Sequence, residues 1–169
     1  MVFELAWSRN GTPHTLGSAL DDMDITDLTA LKFNVLLMHC LESPSSTYTP
    51  DLTLDNTGGN DYARRNSSNG GADGTVTSQA FIENGLGGVG TTSWSFVLDY
   101  IINIDGEEKL GIGFCIAGAN GAGSAPSRAE FVWKKDTSTD TGQFTRVDIN
   151  NTDAGSFPTS SNLSVLGTD

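Results

Sequence analysis

From Trp94 to Ile104 every second residue is apolar: Trp94, Phe96, Leu98, Tyr100, Ile102 and Ile104. After Asp105–Gly106 the alternation resumes through Leu110, Ile112, Phe114 and Ile116. A period of two is the periodicity of a strand, and Asp-Gly between two such runs is a strong hairpin signal. Residues 94–116 are therefore predicted to form a hairpin, with Phe96 and Phe114 facing the core.

Shorter strand-like runs fill the rest of the chain. They are Val2 to Trp7, Asp22 to Leu28 with Met23 and Ile25 alternating with acids, Lys32 to Leu41, Leu52 with Leu54, and Tyr62 to Asn66. Thr75 to Ile82 reads as an edge strand, and Arg128 to Lys135, Phe144 to Asn150 and Leu163 to Leu166 complete the set. Lys32 to Leu41 is the most apolar, and Leu36–Leu37–Met38 breaks its alternation, which predicts cover on both faces. Between the runs lie Gly, Ser, Asn and Asp clusters at 67–74, 85–90 and 117–127, which are loops by composition. About ten short strands without a helix predict an all-β fold, an antiparallel β-sandwich of jelly-roll-like type. No fixed-period repeat and no linker divides the chain, so residues 1–169 are expected to form a single β-sandwich domain.

Composition narrows the function. The formal net charge is −12, from 21 acidic and 9 basic residues, which disfavours nucleic acid and anionic membrane surfaces as partners. Lysine occurs only at 32, 109, 134 and 135. An acidic, lysine-poor surface suits solubility at high salt, and equally suits an ordinary surface that resists self-association. No apolar run has the length of a membrane span, and MVFELAWSRNG lacks the pattern of a signal peptide. Cys40 and Cys115 both lie in apolar runs, where a buried thiol is the default and a disulfide the alternative.

Few residues suggest chemistry. Gly85–Leu86–Gly87–Gly88–Val89–Gly90 spells a dinucleotide-type glycine motif, but a strand follows it where nucleotide binding requires a helix. His14 and His39 lack zinc-ligand spacing, and no nucleophile elbow is present. The acids single out no carboxylate pair for glycoside hydrolysis. Asp21, Asp22 and Asp24, and Asn69 with Asp73, are hard oxygen donors that suit calcium, with a solvated acidic turn as the alternative. No other cofactor is implied, and no metal ligands are assigned. Trp7, Trp94 and Trp133 suit either a sugar-stacking platform or the core. The adjacent Arg64 and Arg65 point to opposite faces of a strand. One of them can hold a partner's carboxylate, and an internal ion pair is the alternative.

Several strings resemble small structural proteins of tailed viruses, often from marine samples. They include Asn60–Asp61–Tyr62–Ala63–Arg64–Arg65, Ser68–Asn69–Gly70–Gly71–Ala72–Asp73–Gly74 and Tyr100–Ile101–Ile102–Asn103–Ile104 with Gly106–Glu107–Glu108–Lys109. Gly121–Ala122–Gly123–Ser124–Ala125–Pro126–Ser127–Arg128–Ala129–Glu130, Asn151–Thr152–Asp153–Ala154–Gly155 and Val165–Leu166–Gly167 extend the likeness to the C-terminus. The first 50 residues match only in general pattern. The resemblance implies a virion component with a jelly-roll or lectin-like sandwich, and the missing signal-peptide pattern fits assembly in the host cytoplasm.

The resulting expectation is a non-enzymatic virion surface protein, either a head decoration (cement) protein or a head or tail fibre module. A carbohydrate-binding module for a host glycan is the alternative. The expected partners are copies of the chain in a homotrimer and other virion proteins, such as the major capsid or tail proteins. The expected partner-binding residues are Arg64, Arg65, Asn69, Asp73 and Arg128, in or beside the loops at 58–74 and 117–127.

Overall fold

A computed structural model describes residues 6–41, 47–83, 93–119, 125–133 and 142–169. It is all-β, with thirteen strands among those residues. They are β1 (Ser8–Arg9), β2 (His14–Thr15), β3 (Asp22–Ile25), β4 (Phe33–Cys40), β5 (Pro50–Leu54), β6 (Tyr62–Ser67) and β7 (Gly74–Gln79). The series continues with β8 (Ile82–Glu83), β9 (Ser93–Ile102), β10 (Lys109–Ala119), β11 (Ser127–Trp133), β12 (Val147–Asn151) and β13 (Asn162–Thr168).

Two antiparallel sheets result. The larger has nine strands in the order β1-β13-β4-β9-β10-β11-β6-β7, with β2 also paired to β13. The smaller has the order β3-β12-β5-β8. Between them lies one apolar core, to which the larger sheet gives Leu36, Met38, Val97, Ile101, Phe131, Trp133, Leu163 and Val165. The smaller sheet answers with Met23, Ile25, Leu52, Leu54, Val147 and Ile149. Each of these sets follows the period of two that the sequence shows, because successive side chains leave a strand on opposite faces.

Most predicted strands are present, with adjusted ends. The Asp22 run stops at Ile25, and Phe144 lies outside a strand although it is fully buried. The edge strand predicted at 75–82 is β7 followed by the separate β8, which joins the other sheet. The first residues of the Val2 run, the 85–90 loop and Lys134–Lys135 lie outside the described residues. The hairpin forms with Phe114 opposite Leu98 and Ile116 opposite Phe96. Of the two central turn residues only Gly106 is left-handed, at φ 76°, so the turn is not the type I′ form that Asp-Gly favours.

The facing of that hairpin reverses the expectation. Phe96 and Phe114 are 38% and 50% exposed, while Ser95, Val97, Asp99, Ile101, Lys109 and Cys115 are buried. On β4 the outer face is covered in part: Val35 is buried, and Phe33 at the end of the strand is exposed. The physical reason is steric. Gly111 pairs with Phe131, and a Cβ on Gly111 would lie 2.0 Å from the phenyl Cζ. The ring of Phe131 occupies the space that an inward side chain on β10 would need, so the bulky residues of β10 point away from it.

Two buried polar residues, Asn103 and Lys109, bond to main-chain groups. Asn103 Nδ2 donates to the carbonyls of Leu31 and Phe144, and its Oδ1 accepts from Phe144 N at 2.9 Å. Lys109 Nζ donates to the carbonyls of Ile104 and Glu107, at 2.5 and 2.7 Å, and ties down the hairpin end. Trp133 stacks on Tyr62 with centroids 6.1 Å apart, and both are buried.

This division predicts unequal costs of truncation. Trp133→Ala should destabilise the domain by about 3–5 kcal/mol in a denaturant titration. Phe114→Ala should change the dilute single chain by no more than about 1 kcal/mol. A loss for Phe114→Ala as large as that for Trp133→Ala would place Phe114 in the core.

Candidate docking face

The outer surface of the larger sheet is built in rows across β4, β9 and β10. One row runs Phe33, Ile102, Leu110, and the next runs Val35, Tyr100, Ile112. Leu37, Leu98 and Phe114 form a third row, and His39, Phe96 and Ile116 a fourth. Trp7 meets Tyr100 edge-on at 6.4 Å, which extends the surface toward β1. At the other end Trp94 lies opposite Gly118, where an added Cβ would come within 2.5 Å of the indole. His39 supports the same indole edge-on at 6.3 Å. The tryptophan is thus held against the sheet and left half-exposed.

Ten large apolar side chains here are 37–50% exposed. At roughly 100 Å² each they expose on the order of 1,000 Å², above the roughly 300–600 Å² that is the largest apolar patch of a typical monomer.

The border is polar. On one side β13 presents Asn162, Ser164 and Thr168 in register with His39, Leu37 and Phe33, with Leu166 among them opposite Val35. On the other, Arg128 and Glu130 of β11 stand beside Phe114 and Ile112, and Arg65 of β6 stands opposite Glu130. Asp73 accepts from Arg65 Nε at 2.8 Å and from Arg128 Nη2 at 3.4 Å, and Glu130 is 4.0 Å from Arg128 Nε. The arginines hold the Asp73 carboxyl below the usual carboxylate range, with the Arg65 hydrogen bond contributing most of that lowering. Two positive and two negative charges leave this side of the border neutral, although the chain carries −12.

Four of the five sequence-predicted partner residues meet at that border. Asn69 is left-handed, at φ 50°, and its Oδ1 accepts from Ala125 N at 2.6 Å. Its own N donates to Ser127 Oγ at 3.0 Å, so the 58–74 and 117–127 segments are joined there. Arg65, Asp73 and Arg128 lie alongside. Arg64 is elsewhere: it points inward, is 8% exposed, and pairs with Glu83 Oε2 at 2.6 Å while donating to the Glu83 carbonyl. For Arg64 the internal ion pair is what the structure contains, since adjacent strand residues face opposite ways.

The calcium donors are engaged differently. Asp24 contacts Arg146 at 3.4 Å and His14 at 3.3 Å, and Asp73 is held by the arginines. Among the described residues no group of three His, Cys, Asp or Glu side chains is placed to hold a metal ion. Both cysteines are free and buried, and burial pushes the Cys40 thiol up to about 12. They sit on β4 and β10 with β9 between, roughly 9–10 Å of sheet. That exceeds the ~7 Å a disulfide spans.

Sequence reasoning missed Asp51, a buried carboxyl on β5. Thr152 Oγ1 donates to its Oδ2 at 2.6 Å, and Oδ1 has no hydrogen-bond partner. Burial above all raises its pKa to about 7, against the Thr152 hydroxyl, with Glu83 adding to the rise and Arg64 opposing it.

No protein-family model matches the chain, and no curated protein or solved structure is significantly similar to it.

The Asp51 environment predicts a pH dependence. The folded state keeps a proton that the unfolded chain, with an ordinary value of 3.8, releases. This contribution therefore favours the fold below about pH 4 and is lost as pH rises to about 7, by up to about 4 kcal/mol. Asp51→Asn should gain stability relative to the natural chain as pH is raised across that window. Parallel curves of denaturation midpoint against pH for the two proteins would show that Asp51 ionises normally.

Proposed function

We propose that the chain is a non-enzymatic structural protein of a tailed-virus particle, a head decoration protein or a head or tail fibre module. Its winding between two sheets is read as jelly-roll-like. The observation that carries the proposal is the junction at Asn69, where two segments that resemble virion proteins are hydrogen-bonded into one corner. Loops held by a rigid sheet are where binding commonly resides. Arg65 and Arg128 stand at that corner, 61% and 53% exposed at the side chain. A guanidinium so placed can take a carboxylate of a capsid or tail protein in bidentate fashion.

A second reading, a module that binds a host glycan, is favoured by Trp94 alone, since an indole fixed flat on a sheet offers a face to a sugar ring. Against it, Phe96 and Ile116 adjoin Trp94 along β9 and β10, and of the side chains placed against the indole only His39 can hydrogen-bond a sugar hydroxyl.

Particles assembled with Arg65→Glu or Arg128→Glu should incorporate about tenfold less of this chain, with melting of the isolated domain changed little. Mass spectrometry of purified particles reads the outcome. Absence of the natural chain from particles would overturn the proposal, and binding on a glycan array lost in Trp94→Ala would establish the second reading instead.

A further inference from the structure

The apolar face of β4, β9 and β10 is too large to be left in water, and its chemistry selects its occupant. We propose that it is the interface between two copies of this chain, packed face to face about a twofold axis with their hairpins antiparallel. The inference does not depend on the virion reading.

Three observations carry it. First, the area fits. On the order of 1,000 Å² of apolar surface per copy compares with the roughly 800 Å² per partner of a standard stable interface. The arrangement matches as well, an apolar centre within a polar rim.

Second, the charge fits self-pairing. A twofold interface sets the same patch against itself, so a border of one sign would repel its copy. The surface of a −12 chain is mostly of one sign, yet this border holds Arg65 and Arg128 against Asp73 and Glu130.

Third, the orientation is constrained. Asp105, Glu107 and Glu108 are exposed at the hairpin tip, at one end of the apolar rows. A threefold arrangement with parallel hairpins would gather three acidic tips at one end, whereas the antiparallel twofold keeps the two tips at opposite ends. A pair fits these acidic tips better than the expected homotrimer. Sheet-on-sheet packing of this kind places the two faces about 10 Å apart, the spacing found inside sandwiches.

The test is sedimentation equilibrium of the full chain across a hundredfold concentration range, paired with tryptophan emission. The natural protein should sediment at twice the 17.8 kDa chain mass and become a monomer on dilution. Its emission should shift to the red as Trp7 and Trp94 regain water, because Trp133 is buried within each chain. Ile112→Thr/Phe114→Thr keeps strand-forming residues and should raise the dissociation constant at least a hundredfold, while circular dichroism remains that of the natural chain. Phe114→Glu is the second variant and should be monomeric throughout. A natural chain that stays at 17.8 kDa at every concentration overturns the proposal. So does a trimer, or a dimer that persists unchanged in a folded threonine variant.

Discussion

The ring of Phe131 occupies the place where a side chain on Gly111 would have to go. Much of the architecture follows from that exclusion. The glycine lets β11 bring Phe131 and Trp133 into the core beside β10, where Trp133 stacks on Tyr62 from β6. With the inner row of β10 given to Lys109, Gly111, Gly113 and Cys115, its large residues must occupy the outer row. Pairing then carries the same parity to β9 and β4, because residues directly opposite one another share a face. One steric constraint thus leads to a core filled largely from neighbouring strands and to an apolar surface outside.

The polar residues on the inner row are consistent with this design. Asn103 bonds to backbone groups of Leu31 and Phe144, and Lys109 to carbonyls of the hairpin end. They satisfy main-chain groups where the strands separate, and a buried polar group so bonded avoids the desolvation cost of an unpaired one. The hairpin end is fixed by these bonds.

Strand positions were legible in the sequence because alternation is symmetric evidence: it says that two faces differ. It does not say which face is covered. The usual assignment of apolar residues to the inside failed for Trp94 through Ile116, and the signal that could have corrected it was Gly111 and Gly113 on the opposite parity. Glycine recurring in a strand marks the close approach of another group. The site residues divide for a related reason. Arg65, Asp73, Arg128 and Asn69 lie together because the two loop segments that carry them also meet in space. Arg64 was misplaced because adjacency in sequence leaves open which arginine faces inward, and its partner Glu83 is distant in sequence. Asp51 left no local signal, since its burial comes entirely from tertiary packing.

The central claim is that the apolar parity of β9 and β10 faces outward. Hydroxyl-radical footprinting at low protein concentration measures it most directly, residue by residue. The account predicts strong labelling of Trp94, Phe96, Tyr100 and Phe114, with Phe131, Trp133 and Cys115 protected. Protection of Phe96 and Phe114 at every dilution, together with labelling of Cys115, would contradict it.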